Sequence, residues 1–94
     1  MATKWKTTII CHNYTLPSDA DRSAIQFQIN AWNKQGVYSG SVEAGPVPGS
    51  PQDFMWHLWW WDSEKSARDY VDFIRPFYST KELSVDVVSE ELPD

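Results

Sequence analysis

Cysteine is nearly absent from this sequence, and its scarcity excludes two kinds of architecture. Cys11 is the single cysteine, so the chain can form neither an intrachain disulfide nor a cysteine-based zinc site. Long apolar runs are absent too: no stretch approaches the roughly 18 residues of a membrane span. The first ten residues also lack the apolar core of a secretory signal peptide. These absences predict an intracellular, cytoplasmic protein, with Cys11 as a small core residue.

Positive charge is also scarce. The formal net charge is −5, and residues 82–94 contain five carboxylates but neither lysine nor arginine. A nucleic-acid-binding protein needs a basic stripe that neutralises phosphates, and an anionic membrane surface attracts basic segments. The sequence therefore predicts no nucleic-acid partner and no membrane partner.

Aromatic residues are abundant: the sequence contains six Trp, four Tyr and four Phe. Each buried aromatic side chain removes about 150–250 Å² from water, so these residues must dominate a core or an interface. A chain of 94 residues is long enough for one domain, which we place at residues 1–94. Because so small a domain has a thin stability margin, pairing with a second copy is one way to gain stability.

Residue patterns predict the element order strand, helix, strand, strand, helix, strand. The predicted strands cover Lys4–Tyr14, Val37–Ala44, Phe54–Trp61 and Leu83–Val88. Ser18 caps the first helix, which ends at Gly36, and Asp62 or Ser63 caps the second, which ends before Pro76. The proline-rich stretch 45–51 is predicted to be a connecting loop. This order predicts an α+β protein with a ferredoxin-like βαββαβ fold, in which two helices cover one face of a four-stranded antiparallel sheet.

The third strand carries the strongest signal. Strand alternation places Phe54, Trp56, Leu58 and Trp60 on one face and Met55, His57, Trp59 and Trp61 on the other. Neither face suits water, so the strand should be central and covered on both sides. Two helices can cover one face, and we expect a second copy of the chain to cover the other as a homodimer.

The segment from Trp61 to Tyr70, with sequence WDSEKSARDY, resembles the strand-to-helix junction of the dimeric α+β barrel superfamily. That superfamily includes antibiotic-biosynthesis monooxygenases and haem-degrading oxygenases. The resemblance implies a cavity and a dimeric barrel. Its cofactor-independent oxygenases use an Asn on the first strand, a Trp ending the third strand and a His on the second helix. Asn13 and Trp61 stand at matching positions, whereas Tyr70 is the nearest polar residue where the helical His would be. The missing His, which serves as the iron ligand, argues against haem, so the resemblance implies no cofactor.

The catalytic candidates are therefore His57, Asn13 and Trp61. The neutral imidazole of His57 could act as a general base or orient a ligand; alternatively, His57 is a core residue bonded to a backbone carbonyl. His12 and His57 together provide too few ligands for a metal site. His12 and Asn13 have a simpler interpretation, in which one of them bonds the following turn.

The ligand-binding candidates are Trp59, Trp61, Tyr70 and Met55. These side chains could line an apolar pocket for a small hydrophobic or planar aromatic molecule; alternatively, they form a packed homodimer interface. Two function classes follow. The first is a cofactor-independent monooxygenase or isomerase acting on an aromatic or polyketide-like compound. The second is a non-catalytic homodimer that binds a ligand or another protein.

Overall fold

The computed structural model describes residues 2–40 and 42–92. Its elements are β1 (Ala2–Cys11), α1 (Asp19–Lys34), β2 (Val42–Val47), β3 (Ser50–Trp61), α2 (Glu64–Ile74) and β4 (Leu83–Leu92). A short 3₁₀ turn, Arg75–Tyr78, follows α2.

The four strands form one antiparallel sheet in the order β2-β3-β1-β4. The central strands are β1 and β3, as the sequence predicts, and the two helices follow β1 and β3 along the chain. This is the ferredoxin-like βαββαβ arrangement, so the predicted fold class is confirmed.

Both helices begin at the predicted serine caps. The Ser18 hydroxyl accepts a hydrogen bond from the Asp21 backbone N–H at 3.2 Å, and the Ser63 hydroxyl accepts one from Ser66 at 3.1 Å. Each bond satisfies a donor that the first helical turn leaves free. Gly36 follows α1 with φ +79°, a left-handed conformation that suits glycine.

The segment around the second strand differs from its prediction. Tyr38 forms an isolated bridge with Trp61, and β2 begins only at Val42; Ser41 lies outside the described residues. The predicted 45–51 loop is wrong, because it contains the end of β2, a two-residue turn at 48–49 and the start of β3. Gly49, with φ +80°, supplies the left-handed residue that such tight hairpins need.

A β-bulge near the end of β3 reverses the predicted facing of Trp61. Thr7 pairs with Leu58, but Trp5 pairs with Trp61, so β3 contains one residue more than β1 across this step. Trp60 has φ +70°, a conformation that is rare for a bulky side chain. The extra residue shifts the alternation by one position. Trp61 therefore lies on the opposite face from His57 and Trp59, and the prediction that it shares their face is wrong.

One face of the sheet, hereafter the helix side, carries the core. Ile9, Cys11, Trp56, Leu58 and Trp61 are all buried there, and α2 buries Ala67, Tyr70, Val71 and Ile74 against them. By contrast, α1 has no buried residue. Its inner stripe packs only partly against the core, and this loose packing leaves space between α1 and the sheet.

The other face of the sheet, hereafter the open face, has no helix over it. Met55, His57 and Trp59 of β3 are half-buried there by their neighbours on the sheet. The Lys6 ammonium lies over the Trp59 ring, 5.2 Å from its centroid, in a favourable cation–π geometry. This face mixes apolar and charged side chains, whereas the sequence suggests an apolar one.

Candidate functional site

A pocket of about 300 Å³ lies between α1 and the β2–β3 half of the sheet. We call it the helix-side pocket. Its wall consists of Tyr14, Pro17, Arg22, Ile25, Gln26, Ile29, Val42, Ala44, Phe54, Trp56, Leu58, Tyr70, Ile74 and Tyr78. The volume is at the lower end of the range for small-molecule sites, about 300–1,000 Å³.

Aromatic rings line the floor of this pocket and hold one another in place. Tyr14 stacks on Phe54 with ring centroids 4.6 Å apart, and Trp56 packs against Tyr78 at 5.5 Å. The Trp56 indole N–H donates a hydrogen bond of 2.8 Å to the Tyr70 hydroxyl. Because that hydroxyl accepts from Trp56, its own hydrogen is free to point to another acceptor.

Three tyrosines give the pocket its polar groups in neutral form. Burial raises the pKa of Tyr70 well above its ordinary value. Burial also raises the pKa of Tyr78, and the nearby Tyr14 adds to the shift. The pKa of Tyr14 is raised in the same way. All three hydroxyls therefore remain protonated at neutral pH. Tyr14 and Tyr78 share a side-chain hydrogen bond, so the hydroxyl hydrogens that can reach a ligand oxygen are those of Tyr70 and of one residue of this pair.

The mouth of the pocket is apolar with one cation at its edge. Val42 lines the mouth and is 57% exposed, while the nearby loop residue Leu16 is 66% exposed. The Arg22 guanidinium bonds to Asp19 on the same helix. The charge of Arg22 is thus already paired, and the entrance favours an apolar molecule.

Two of the residues predicted for the site lie together on the helix side. The Trp61 ring stacks on the Tyr70 ring at 5.4 Å, and Tyr70 lines the helix-side pocket whereas Trp61 lies behind it. The Trp61 indole N–H is buried and has no hydrogen-bond partner among the described residues. Trp61 is therefore a core residue behind the pocket wall.

Three other predicted residues lie on the open face, away from this pocket. The His57 ring is 5.3 Å from the Trp59 ring, and His57 Nδ1 lies 2.7 Å from the Thr8 hydroxyl. Met55 and His57 line a shallow cavity of about 160 Å³ beside β2. The predicted single pocket bounded by Trp59, Trp61 and Tyr70 is therefore wrong, because the sheet separates Trp59 from the other two.

Asn13 occupies a third position, in the turn that follows β1. It is exposed, has φ +53°, and its backbone N–H donates to Asp53 at 3.1 Å. Asn13 lines a cavity at the end of the sheet and does not line the helix-side pocket. The structure thus distributes the six predicted residues over three places.

The pocket also contains three residues that were not predicted from the sequence to line a site: Trp56, Tyr14 and Tyr78. The placement of Trp56 on one face with Phe54 and Leu58 was correct and contained the signal for it. Tyr14 lies in the irregular segment after β1, and Tyr78 ends the short 3₁₀ turn after α2. Neither segment is long enough for hydrophobic periodicity to predict where its side chains point.

Two other kinds of feature are absent from the described residues. Within residues 2–40 and 42–92, no three His, Cys, Asp or Glu side chains converge on a possible metal site. No helix in those ranges has the length and apolar character that a bilayer crossing requires.

Structural comparison supports the fold and leaves the activity open. A dimeric ferredoxin-like protein from an uncultured marine organism is similar over 100% of both chains, with TM-score 0.54 and 6% identity. CPII, a nitrogen regulatory PII-like protein from Thiomonas intermedia K12 bound to ADP, AMP and bicarbonate, aligns over 97% of this chain and 96% of its own, with TM-score 0.50 and 16% identity. No protein-family model and no curated protein matches the sequence.

Fold and site together define the class: a ferredoxin-like α+β protein with an aromatic pocket under its first helix. This fold is consistent with the resemblance to the dimeric α+β barrel superfamily. At such low identities the similarity concerns the fold alone, because one fold hosts many activities.

Proposed function

We propose that the protein binds a small planar aromatic molecule, such as a polyketide-like compound, in the helix-side pocket. One observation supports this more than any other: a cavity of about 300 Å³ is walled by Trp56, Tyr14, Tyr70 and Tyr78 beneath a helix that buries no residue. Flat apolar walls suit a flat ligand, and the neutral tyrosine hydroxyls, that of Tyr70 first, can donate hydrogen bonds to its oxygen atoms.

Binding fits this pocket better than cofactor-independent oxygenation or isomerisation. Such reactions begin with removal of a proton and need a base within hydrogen-bond reach. The described residues of the wall include no carboxylate and no imidazole, and His57 lies across the sheet. Tyr70 could stabilise a developing oxyanion, but it is protonated and is not a base. We therefore propose a ligand-binding protein.

Titration with 1-naphthol or 1,4-naphthoquinone tests the pocket. We expect saturable quenching of tryptophan fluorescence, because the Trp56 ring forms part of the wall. A ligand of this size should bind with a Kd on the order of 10–100 µM. The variant Ala44→Phe places a ring in the pocket without adding charge, and it should weaken binding about 10-fold or more.

The matched control is His57→Ala on the open face, which should leave the affinity unchanged. Calorimetry gives the same Kd without relying on fluorescence. Equal binding by wild type and Ala44→Phe, or loss of binding in His57→Ala, would contradict the helix-side pocket.

We also propose that two copies pair through the open face. Trp59 and Met55 provide apolar area there. Strand alternation places Lys6 and Asp86 on the same open face. Because they carry charges of opposite sign, this face can be electrostatically complementary to the same face of a second copy. The marine ferredoxin-like protein of similar fold is dimeric, which supports this arrangement without deciding it.

The variant Trp59→Asp should convert the dimer to a monomer, because it removes a large apolar ring from the contact and introduces a carboxylate that is costly to desolvate. Sedimentation velocity at micromolar concentration measures the change. Phe27→Asp is the control, since Phe27 lies on α1 and is 75% exposed; it should stay dimeric. A wild-type protein that sediments as a monomer would overturn the proposal.

A further inference from the structure

Three chemically complementary side chains lie in a row at one end of the open face. Asp53 belongs to β3, His12 directly follows β1, and Ser84 is the second residue of β4. Cys11 pairs with Phe54, and Ile10 pairs with Ser84. Strand alternation therefore places all three side chains on the same face, across three neighbouring strands.

The imidazole of His12 lies between the carboxylate of Asp53 and the hydroxyl of Ser84. His12 Nδ1 lies 3.2 Å from Asp53 Oδ2, and His12 Nε2 lies 2.9 Å from Ser84 Oγ. An ionised carboxylate can only accept hydrogen bonds, so the imidazole hydrogen resides on Nδ1. The lone pair of Nε2 then faces the serine hydroxyl and accepts its hydrogen. This is the arrangement of a Ser–His–Asp triad, which is recognised by geometry rather than by chain order.

The chain holds the carboxylate and the imidazole in place and leaves the hydroxyl accessible. Asp53 Oδ1 accepts the Asn13 backbone N–H at 3.1 Å, and the Asp53 side chain is only 15% exposed. The His12 backbone N–H donates to the Glu82 carbonyl at 3.0 Å. Ser84 is exposed.

We infer that Ser84, His12 and Asp53 form an acyl-transfer site that takes small carboxylic esters, separate from the helix-side pocket. Ser84 Oγ attacks the ester carbonyl as its proton passes to His12 Nε2. The carbon–alkoxy bond breaks, and the leaving alkoxide takes that proton and departs as the alcohol. Water then gives a proton to His12 Nε2 and attacks the acyl-serine. The carboxylic acid is released, and Ser84 Oγ regains its hydrogen. Asp53 is a positioning residue that holds the imidazole tautomer.

A second imidazole–hydroxyl pair on the same face provides an internal comparison. His57 Nδ1 lies 2.7 Å from the Thr8 hydroxyl. No described carboxylate contacts the other nitrogen of this imidazole. The pair therefore has a hydroxyl and an imidazole but no carboxylate that fixes the imidazole tautomer, and we expect it to be inactive towards esters.

Incubation of the full chain with 4-nitrophenyl acetate tests the inference. We expect release of nitrophenolate and one acetyl group on Ser84, which peptide mass spectrometry locates. General-base assistance contributes about 10²–10⁴-fold, so Ser84→Ala and His12→Gln should each lower turnover about 100-fold or more. Asp53→Asn should lower kcat and leave KM unchanged. Thr8→Ala and His57→Ala should turn over like the wild type, and circular dichroism checks that each variant is folded.

The position of the acetyl group decides the result. Acetylation of lysine or imidazole alone, or turnover that survives Ser84→Ala in a folded protein, would overturn the inference. If two copies pair through the open face, Ser84 must lie outside the area that they bury. A dimer in which Ser84 is not acylated would also overturn the acyl-transfer inference. That result would leave the proposed ligand binding in the helix-side pocket unaffected.

Discussion

Replacing Gly40 with alanine should destabilise the protein by about 3 kcal/mol or more, because the new methyl group has no room. A Cβ built at Gly40 would overlap the Trp59 backbone carbonyl and lie 2.8 Å from Trp60 Cδ1. The nearest obstacle is backbone, so no side-chain rotation can relieve the clash. The bulge itself would have to move, together with the Ser39 N–H···Trp60 carbonyl bond of 3.1 Å beside it.

For a domain of this size, that loss corresponds to a decrease in Tm of roughly 12 °C or more. Gly45→Ala is the matched control, since a Cβ at Gly45 meets no atom within 4 Å. Gly45 also lies in β2, and its substitution should change the free energy of unfolding by about 0.5 kcal/mol or less. Equal Tm values for the two variants, measured by differential scanning calorimetry, would show that the bulge is not constrained at Gly40.

A second large effect should appear at alkaline pH. Burial raises the pKa of Tyr38 from 10.0 to about 12, and burial raises the pKa of Tyr70 and Tyr78 further. In the unfolded chain these phenols lose their protons near their ordinary pKa of about 10. Above that pH the folded state binds more protons than the unfolded state, so stability falls as pH rises.

The stabilisation from these tyrosines is thus fully present below about pH 10 and is lost as pH rises towards the folded-state pKa values. One pKa unit is worth about 1.4 kcal/mol, so Tyr38 alone should account for about 2–3 kcal/mol by pH 12. Urea unfolding between neutral and alkaline pH measures the slope, and phenolate absorbance reports when the rings titrate. Tyr38→Phe should show a shallower slope. A free energy of unfolding that stays constant above pH 10 would contradict the buried, neutral state of these rings.

Local patterns in the sequence determined the element types and their order. Ser18 and Ser63 mark helix starts because their side chains satisfy backbone donors within three residues, an interaction that needs no distant partner. The central position of β3 followed from its lack of a polar face. The β2–β3 hairpin was missed because prolines at both ends of the segment suggested a loop. Pro46 lies in β2, an edge strand that tolerates proline, and Pro51 is the second residue of β3, close to the turn.

Only the tertiary structure decided where the functional side chains meet. The bulge at Trp60 depends on the pairing of β3 with β1 and on the close approach of Gly40, and it moves Trp61 to the helix side. The helix-side pocket depends on how loosely α1 packs against the sheet. His12 lies 41 positions before Asp53 and 72 positions before Ser84 along the chain. The three side chains meet only because of the order of the strands in the sheet. Hydrophobic periodicity predicts which way a side chain points within one helix or strand. The distances between side chains of different elements depend on how those elements pack together.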